Sequence, residues 1–255
     1  MIEIIILNFN ALDKLALCLE SIESSSKDYS ITVIDNNSSD GSLEWLKFQA
    51  QSNRIKLVAN KENVLFTKAY QDYLRTFKTL PEYFVILNND CIVKPNWLDV
   101  MLKYMQENKR CGIVAPMLLA QDNFTIANMG GMCDFLSHKS GNIKMGYNSP
   151  EKNYWTTFAC VMIRSEAFLK VNGFDEQFRF YCSDSDLCLR MNLAGYEVYN
   201  LPESQVIHFH GVSTREIGKE IQKIGHEDMV KFDAKWQRSG IKIGNQTEFL
   251  QEVKL

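Results

Sequence analysis

Apolar positions follow two rhythms along the first half of the chain. "EIIILNF" is a continuous apolar run, as expected of a strand buried on both faces. "LDKLALCLESI" then sets Leu12, Leu15, Leu19 and Ile22 at helical spacing. The alternation continues with "ITVIDN" as a strand and "SSDGSLEWLKFQA" as a helix, for which Ser39 or Asp40 offers an N-cap. "IKLVAN" reads as a strand, "FTKAYQDYLRTF" as a helix and "YFVILNN" as a strand. "NWLDVMLKYMQEN" is a helix with Pro95 just before it, and "CGIVAPML" is a strand. Such alternation predicts an α/β fold, a mostly parallel central sheet with helices on both faces.

Between Ala120 and Asn153 the pattern weakens, and Gly130, Gly131, Gly141, Gly146 and Pro150 predict loops with short strands. Regular elements return in "WTTFACVMI" as a strand, "SEAFLKV" as a short helix, and "DSDLCLRMNLAG" as a helix with an acidic first turn and a terminal Gly195. "YEVYNLPESQVIHF" is extended, and "TREIGKEIQKIGHEDMVKFDAKW" is helical with mixed charge. One compact domain with a C-terminal appendage accounts for this layout.

Composition narrows the function classes. The net charge of -3 gives no global basic field, so nucleic-acid binding through bulk electrostatics is not expected. No apolar run approaches ~20 residues, the length that spans a membrane. The N-terminus lacks the basic region and cleavage site of a signal peptide. Seven scattered cysteines without a CxxC argue against a disulfide framework and for a reducing cytoplasm, with peripheral attachment to the inner face of a membrane left open. A zinc site built from Cys182, Cys188, His208 and His210 is disfavoured, because the cysteines lack the close pairing of structural zinc sites.

Candidate chemistry gathers at the strand ends. Open parallel sheets bind ligands outside the carboxyl ends of their strands. Four such ends carry Asn and Asp: Asn8 with Asn10, "DNNSSDGS" from Asp35, "ANKEN", and "NNDC". Turn chemistry alone explains any one of them, but not the enrichment of one edge. Asp35 can accept a hydrogen bond from the ring imide of uracil or thymine, provided Ser39 and Asp40 do the local capping. Asp90, with Asn88, can ligate Mg²⁺ or Mn²⁺ through oxygen; the alternative is an Asx turn. In "YCSDSDLCLR", Asp184 and Asp186 occupy a helix's first turn, where they either balance the helix dipole or supply a general base, with Asp184 favoured as the base and Asp186 as the dipole residue. In "VIHFHGVST", His208 and His210 share one side of a strand and become candidates for a metal or a diphosphate.

Taken together, these segments resemble the family 2 glycosyltransferases, in particular rhamnosyltransferase-like bacterial members. The resemblance runs over about residues 1 to 215. "IIILNFN" resembles the family's opening strand, "VIDNNSSDGS" its nucleotide-binding turn, and "NKENVLFTKAY" its Asn-rich segment, with Val64 where Gly is common. "ILNNDCIV" resembles the metal motif, and the stretch from "FACVMIRSEAF" through "NGFDEQF" and "SDSDLCLR" to "VIHFHG" resembles the acceptor-side half.

The resemblance implies the Rossmann-like A-type glycosyltransferase fold. It places a catalytic domain at 1–215, split into a nucleotide-binding half (1–118) and an acceptor-side half (119–215), with a helical appendage at 216–255. It implies sugar transfer from a nucleotide-diphosphate sugar, UDP- or dTDP-linked by the Asp35 argument, to a hydroxyl of a glycan or lipid-linked acceptor, usually with inversion. Asn8, Asn10, Asp35, Asn37, Asn63, Lys68, Asn88 and Asn89 would hold the nucleotide. Asp90, His208 and His210 would hold Mn²⁺ or Mg²⁺, Asp184 would be the base, and Trp155 and Asp186 would face the acceptor or donor sugar. His208 matches the family histidine, while His210 falls where glycine is frequent. Two departures stand out: Ser183 replaces the usual Glu before Asp184, and Asn88-Asn89-Asp90 has one carboxylate where stricter members have two. They keep open the alternative of a catalytically inactive nucleotide-sugar-binding module. A sugar-nucleotide pyrophosphorylase would need a Gly-rich basic loop after the first strand, and "NFNALDKL" contains no glycine.

Overall fold

The computed structural model of the chain describes residues 2–23, 29–128, 131–134, 139–142, 149–209 and 218–238. The chain begins with β1 (Ile2–Asn8), α1 (Leu12–Glu23), β2 (Tyr29–Asp35), α2 (Ser42–Gln51), β3 (Lys56–Ala59), α3 (Leu65–Arg75) and β4 (Tyr83–Asn88). These strands lie in the order β3-β2-β1-β4, all parallel. Next come β5 (Cys91–Val93), α4 (Trp97–Glu107), β6 (Cys111–Leu119) and the short β7 (Ile126–Asn128). A two-stranded ribbon, β8 (Gly131–Asp134) with β9 (Lys139–Asn142), and β10 (Glu151–Asn153) occupy the segment where the sequence pattern weakens. The second half continues with β11 (Cys160–Arg164), α5 (Ser165–Lys170), α6 (Ser183–Leu193), β12 (Glu197–His208) and α7 (Lys219–Arg238).

The period of the strands explains the two faces. Ile4 and Ile6 of β1 join a core with Leu15, Cys18, Leu19 and Ile22 of α1 and Trp97 and Met101 of α4. Ile5, between them, joins the opposite core with Tyr70 of α3, Phe84 and Leu187 of α6. A run apolar at every position is therefore what a strand covered by helices on both sides requires. Strand β11 lies antiparallel between β4 and β6, and β12 then pairs parallel with β6.

One register relationship positions the site. β5 pairs antiparallel with β12, setting Cys91 opposite His208. The end of β12 is thereby brought beside the residue that precedes β5, Asp90. Helix α7 packs Phe232 and Trp236 against Tyr154, Phe178 and Leu189.

Candidate active site

A cleft of about 310 Å³ opens at the carboxyl ends of the central strands. It is lined from the first half by Leu7, Phe9, Asn36, Asn63, Leu65, Phe66, Asn88, Asn89 and Asp90. The second half contributes Thr157, Phe158, Ala159, Phe180, Tyr181, Cys182, Ser183, Asp184 and His208. Residues far apart in sequence thus converge, including both carboxylates proposed for chemistry.

Asp90 and His208 meet across the β5–β12 register. His208 Nε2 lies 3.2 Å from Asp90 Oδ1, and both side chains are almost fully buried. Among the described residues, none donates a hydrogen bond to Asp90 Oδ1. Such a buried oxygen is costly unless a cation or an ionised partner satisfies it. Cys91 Sγ lies in the same group of potential ligand atoms, all within 4.8 Å of one another. Its S–H, however, points to the carbonyl of Ala159 at 3.4 Å. Burial, and then the charge of Asp90, push this thiol well above its ordinary pKa, so it stays protonated. The remaining carboxylate and imidazole fit a divalent cation that prefers oxygen and nitrogen. His210 lies outside the described residues.

Asp184 sits in the first turn of α6, after Cys182, whose φ of 62° swings the chain into the helix. Oδ1 of Asp184 accepts the backbone N–H of Ser185 at 2.7 Å. Burial raises its carboxyl pKa above the ordinary value, against the lowering effects of Ser185 and the Trp155 indole. Among the described residues the Trp155 N–H makes no hydrogen bond of standard geometry, so it leans on Asp184 without capping it. Trp155 itself is buried beside the cleft and does not line it.

Several expected site residues have other roles. Asp35 is fully buried. Its Oδ1 accepts from Asn8 Nδ2 (2.9 Å) and Ser38 Oγ (2.7 Å), and its Oδ2 from Ser38 N (2.9 Å). It braces the loop after β2 and offers no imide partner at the surface of the cleft. The β1–β2 register pairs Asn8 with Asp35 directly, and Asn89 donates to Asn8 at 2.8 Å. Ser39 and Asp40 do not cap α2 as expected; Gly41 is the N-cap. Asp40 instead bonds the N–H groups of Leu12 and Ser42, at the starts of two helices.

Asn10 accepts the Ser39 N–H at 2.7 Å, and Asn37 is exposed with φ 65°; both shape the loop outside the cleft. Lys68 is exposed and pairs with Asp72 one turn along α3. Asp186 is fully buried, accepts from Arg190 Nε at 2.7 Å and Lys235 Nζ at 2.5 Å, and does not line the cleft. The glycine-type backbone in "NVLF" falls at Leu65 (φ 64°), not at Val64 (φ -85°).

Two lining groups escaped the sequence reading. Asn36 accepts from Asn60 at 2.7 Å and donates to Asn63 at 3.0 Å, so it anchors an amide chain along the mouth. Its place directly after Asp35 was the available signal. Phe66, Phe180 and Tyr181 give the cleft aromatic walls, and no spacing marks them in the sequence.

The family model for glycosyl transferase family 2 matches residues 3–172, two thirds of the chain. The chain belongs to glycosyl transferase family 2. A second model, the N-terminal domain of galactosyltransferase, matches residues 140–212 of this glycosyltransferase. The rhamnosyltransferase WbbL of Escherichia coli K12 is 25% identical over 224 residues, covering 82% of this chain and 83% of the relative. Among solved structures, GalNAc-T7 with UDP, GalNAc and Mn²⁺ superposes with a TM-score of 0.69 at 15% identity, covering 82% of this chain and 44% of that one. A mannosyltransferase of Pyrobaculum calidifontis, in complex with GDP-Man and Mn²⁺, superposes with a TM-score of 0.62 at 15% identity, covering 83% and 57%. The chain therefore spans about half the length of these structures. At such identities they establish the fold, which is the A-type glycosyltransferase fold. Among the described residues, no helix is long and apolar enough to cross a membrane.

Proposed function

We propose that this glycosyltransferase moves a sugar from a nucleotide-diphosphate sugar to a hydroxyl of a glycan or lipid-linked glycan, with inversion at the anomeric carbon. The observation that carries this reading is the convergence of Asp184 and the Asp90–His208 pair on one cleft. The acceptor oxygen attacks the anomeric carbon, the bond from that carbon to the diphosphate oxygen breaks, and the acceptor proton passes to Asp184. A base raised above the ordinary carboxylate pKa is better matched to taking that proton near neutral pH. A divalent ion, Mn²⁺ or Mg²⁺, held by Asp90 and His208 would offset the charge on the departing nucleoside diphosphate.

In this reading Asn36, Asn63, Asn88 and Asn89 take the nucleotide, and residues 119–215 take the acceptor. A preference for a pyrimidine nucleotide, uridine or thymidine, is argued from Leu65, which lines the cleft at a backbone position suited to glycine, so that its side chain would take up room a purine needs. The likeness to WbbL supports a deoxyhexose such as rhamnose as the transferred sugar. Cys18, Cys91, Cys111, Cys160, Cys182 and Cys188 are free thiols, which supports a reducing compartment, with peripheral membrane attachment through a lipid-linked acceptor.

The test is a panel of UDP-, dTDP- and GDP-sugars, assayed for donor hydrolysis and transfer with Mn²⁺ and with chelator. Metal-dependent turnover of one pyrimidine donor is expected. Tight donor binding without any turnover would favour the inactive binding module that Ser183, in place of the usual Glu, suggests.

A further inference from the structure

Helix α7 lies at the far end of the sequence, yet it grips the segment that carries Asp184. Asp228 is fully buried in the middle of α7. Its Oδ2 accepts three consecutive backbone N–H groups: Arg179 at 3.1 Å, Phe180 at 2.9 Å and Tyr181 at 3.0 Å. A carboxylate held by successive main-chain donors fixes a loop's conformation as well as its position, because each bond restrains a peptide plane. The grip continues on both sides. Glu227 pairs with the Arg179 guanidinium, and Lys231 Nζ donates to the carbonyl of Gln177 at 3.0 Å. Across the segment, the carbonyl of Arg179 accepts the Thr67 N–H of α3 at 3.2 Å.

A second observation is independent of these bonds. Gly225, one turn before Asp228, lets α7 close on the Tyr181 ring: a Cβ there would stand 2.9 Å from the ring. The three residues after Tyr181 are Cys182, Ser183 and Asp184, all at the cleft. Only two residues, Cys182 and Ser183, thus lie between the grip and the base.

We propose that Asp228 is a positioning residue: it holds residues 179–181 so that Asp184 faces the cleft, and α7 is part of the active site rather than an appendage. This rests on the reading of Asp184 as the base. Small displacements of a positioned base are costly, about 10²-fold in rate for ~1 Å. The nucleotide is held by residues of the first half, which Asp228 does not touch. Loss of Asp228 should therefore lower turnover and spare donor affinity.

The experiment uses the full chain with Asp228→Ala, Asp228→Asn and Gly225→Ala. Transfer rate, donor affinity by calorimetry, and hydrogen exchange at the amides of 179–181 are measured for each. Asp228→Ala is expected to lose about 10- to 100-fold in kcat, with donor Kd within a few-fold of wild type and faster exchange at those amides. Asp228→Asn keeps an acceptor oxygen and should recover much of the rate. If Asp228→Ala does not fold, Gly225→Ala carries the test, with lower kcat expected from a displaced Tyr181. A folded Asp228→Ala with wild-type kcat would overturn the proposal, as would kcat and donor affinity falling together with melting temperature. Exchange at 179–181 unchanged in Asp228→Ala would also overturn it, and needs no activity. An inactive wild-type chain would instead contradict the transferase reading, which keeps the two failures distinct.

Discussion

His208 Nε2 lies 3.2 Å from Asp90 Oδ1, although 117 residues separate them. The β5–β12 register makes this contact, and among the described residues the buried oxygen has no hydrogen-bond donor. If a divalent ion bridges the pair, Asp90→Ala and His208→Ala should each abolish the Mn²⁺ enhancement of nucleotide binding. Cys91→Ala should retain it, since that thiol points to Ala159. Calorimetric titration of UDP or dTDP with and without Mn²⁺ reads all three. An unchanged metal response in Asp90→Ala would reduce "NND" to a turn.

Leu65 supplies a second prediction. A bulky residue at φ 64° stores roughly 1–2 kcal/mol of strain. Truncating a buried leucine ordinarily costs about 2–5 kcal/mol. Leu65→Gly loses a half-buried side chain but relieves the strain, so its stability should stay within about 1 kcal/mol of wild type. The widened mouth should also bring GDP affinity closer to UDP affinity. Urea unfolding and nucleotide calorimetry check the two halves; a loss near that of an ordinary core leucine would show that Leu65 carries no strain.

Asp186→Asn should act on stability. The carboxylate is fully buried, while its partners Arg190 and Lys235 keep 17% and 25% of their side chains exposed. The cost should be about 2 kcal/mol, below the ~3–5 of a fully buried pair, because solvent takes up part of each cation's charge. Donor affinity should hold in thermal and calorimetric assays under conditions where the variant is folded.

These outcomes mark what the sequence could convey. The alternating fold was readable because every central strand is covered on both faces, and Ile4, Ile5 and Ile6 are apolar for that single reason. Asp90, Asp184 and His208 were readable because a strand end or a helix start projects each one into the cleft. Asp35 has the same placement but turns inward, since its register partner Asn8 and the Ser38 hydroxyl satisfy it. Asp186 looked like a dipole residue because Lys235 lies 49 positions away. The left-handed backbone at Leu65 was not readable, since φ is not a property of spacing. Asp228 left no signal, because its three partners are main-chain amides 47 to 49 residues upstream.

The pH dependence follows from the burial of Asp184. Its folded pKa is raised, so the folded chain binds this proton more readily than the unfolded chain. The resulting stability is fully present below the unfolded pKa and is lost as pH rises through the folded one. At neutral pH the ionised carboxylate therefore costs stability, which Asp184→Asn removes. The variant should melt at or above the wild-type temperature at neutral pH, with the advantage shrinking in acid. The acidic limb of the transfer rate should likewise lie above the ordinary aspartate range and disappear with the substitution. Thermal melts and rate profiles across pH would reveal either sign.

The most direct test is a paired measurement on Asp184→Asn: transfer rate and donor affinity with the same nucleotide sugar. The amide keeps the shape and the oxygen that accepts the Ser185 N–H, but it cannot take a proton at neutral pH. A base that acts only on the acceptor hydroxyl works in the transition state, so turnover should fall by about 10²-fold or more while donor affinity stays within a few-fold. Near-normal turnover in Asp184→Asn would contradict the account, because the cleft would then lack the base on which the proposed transfer depends.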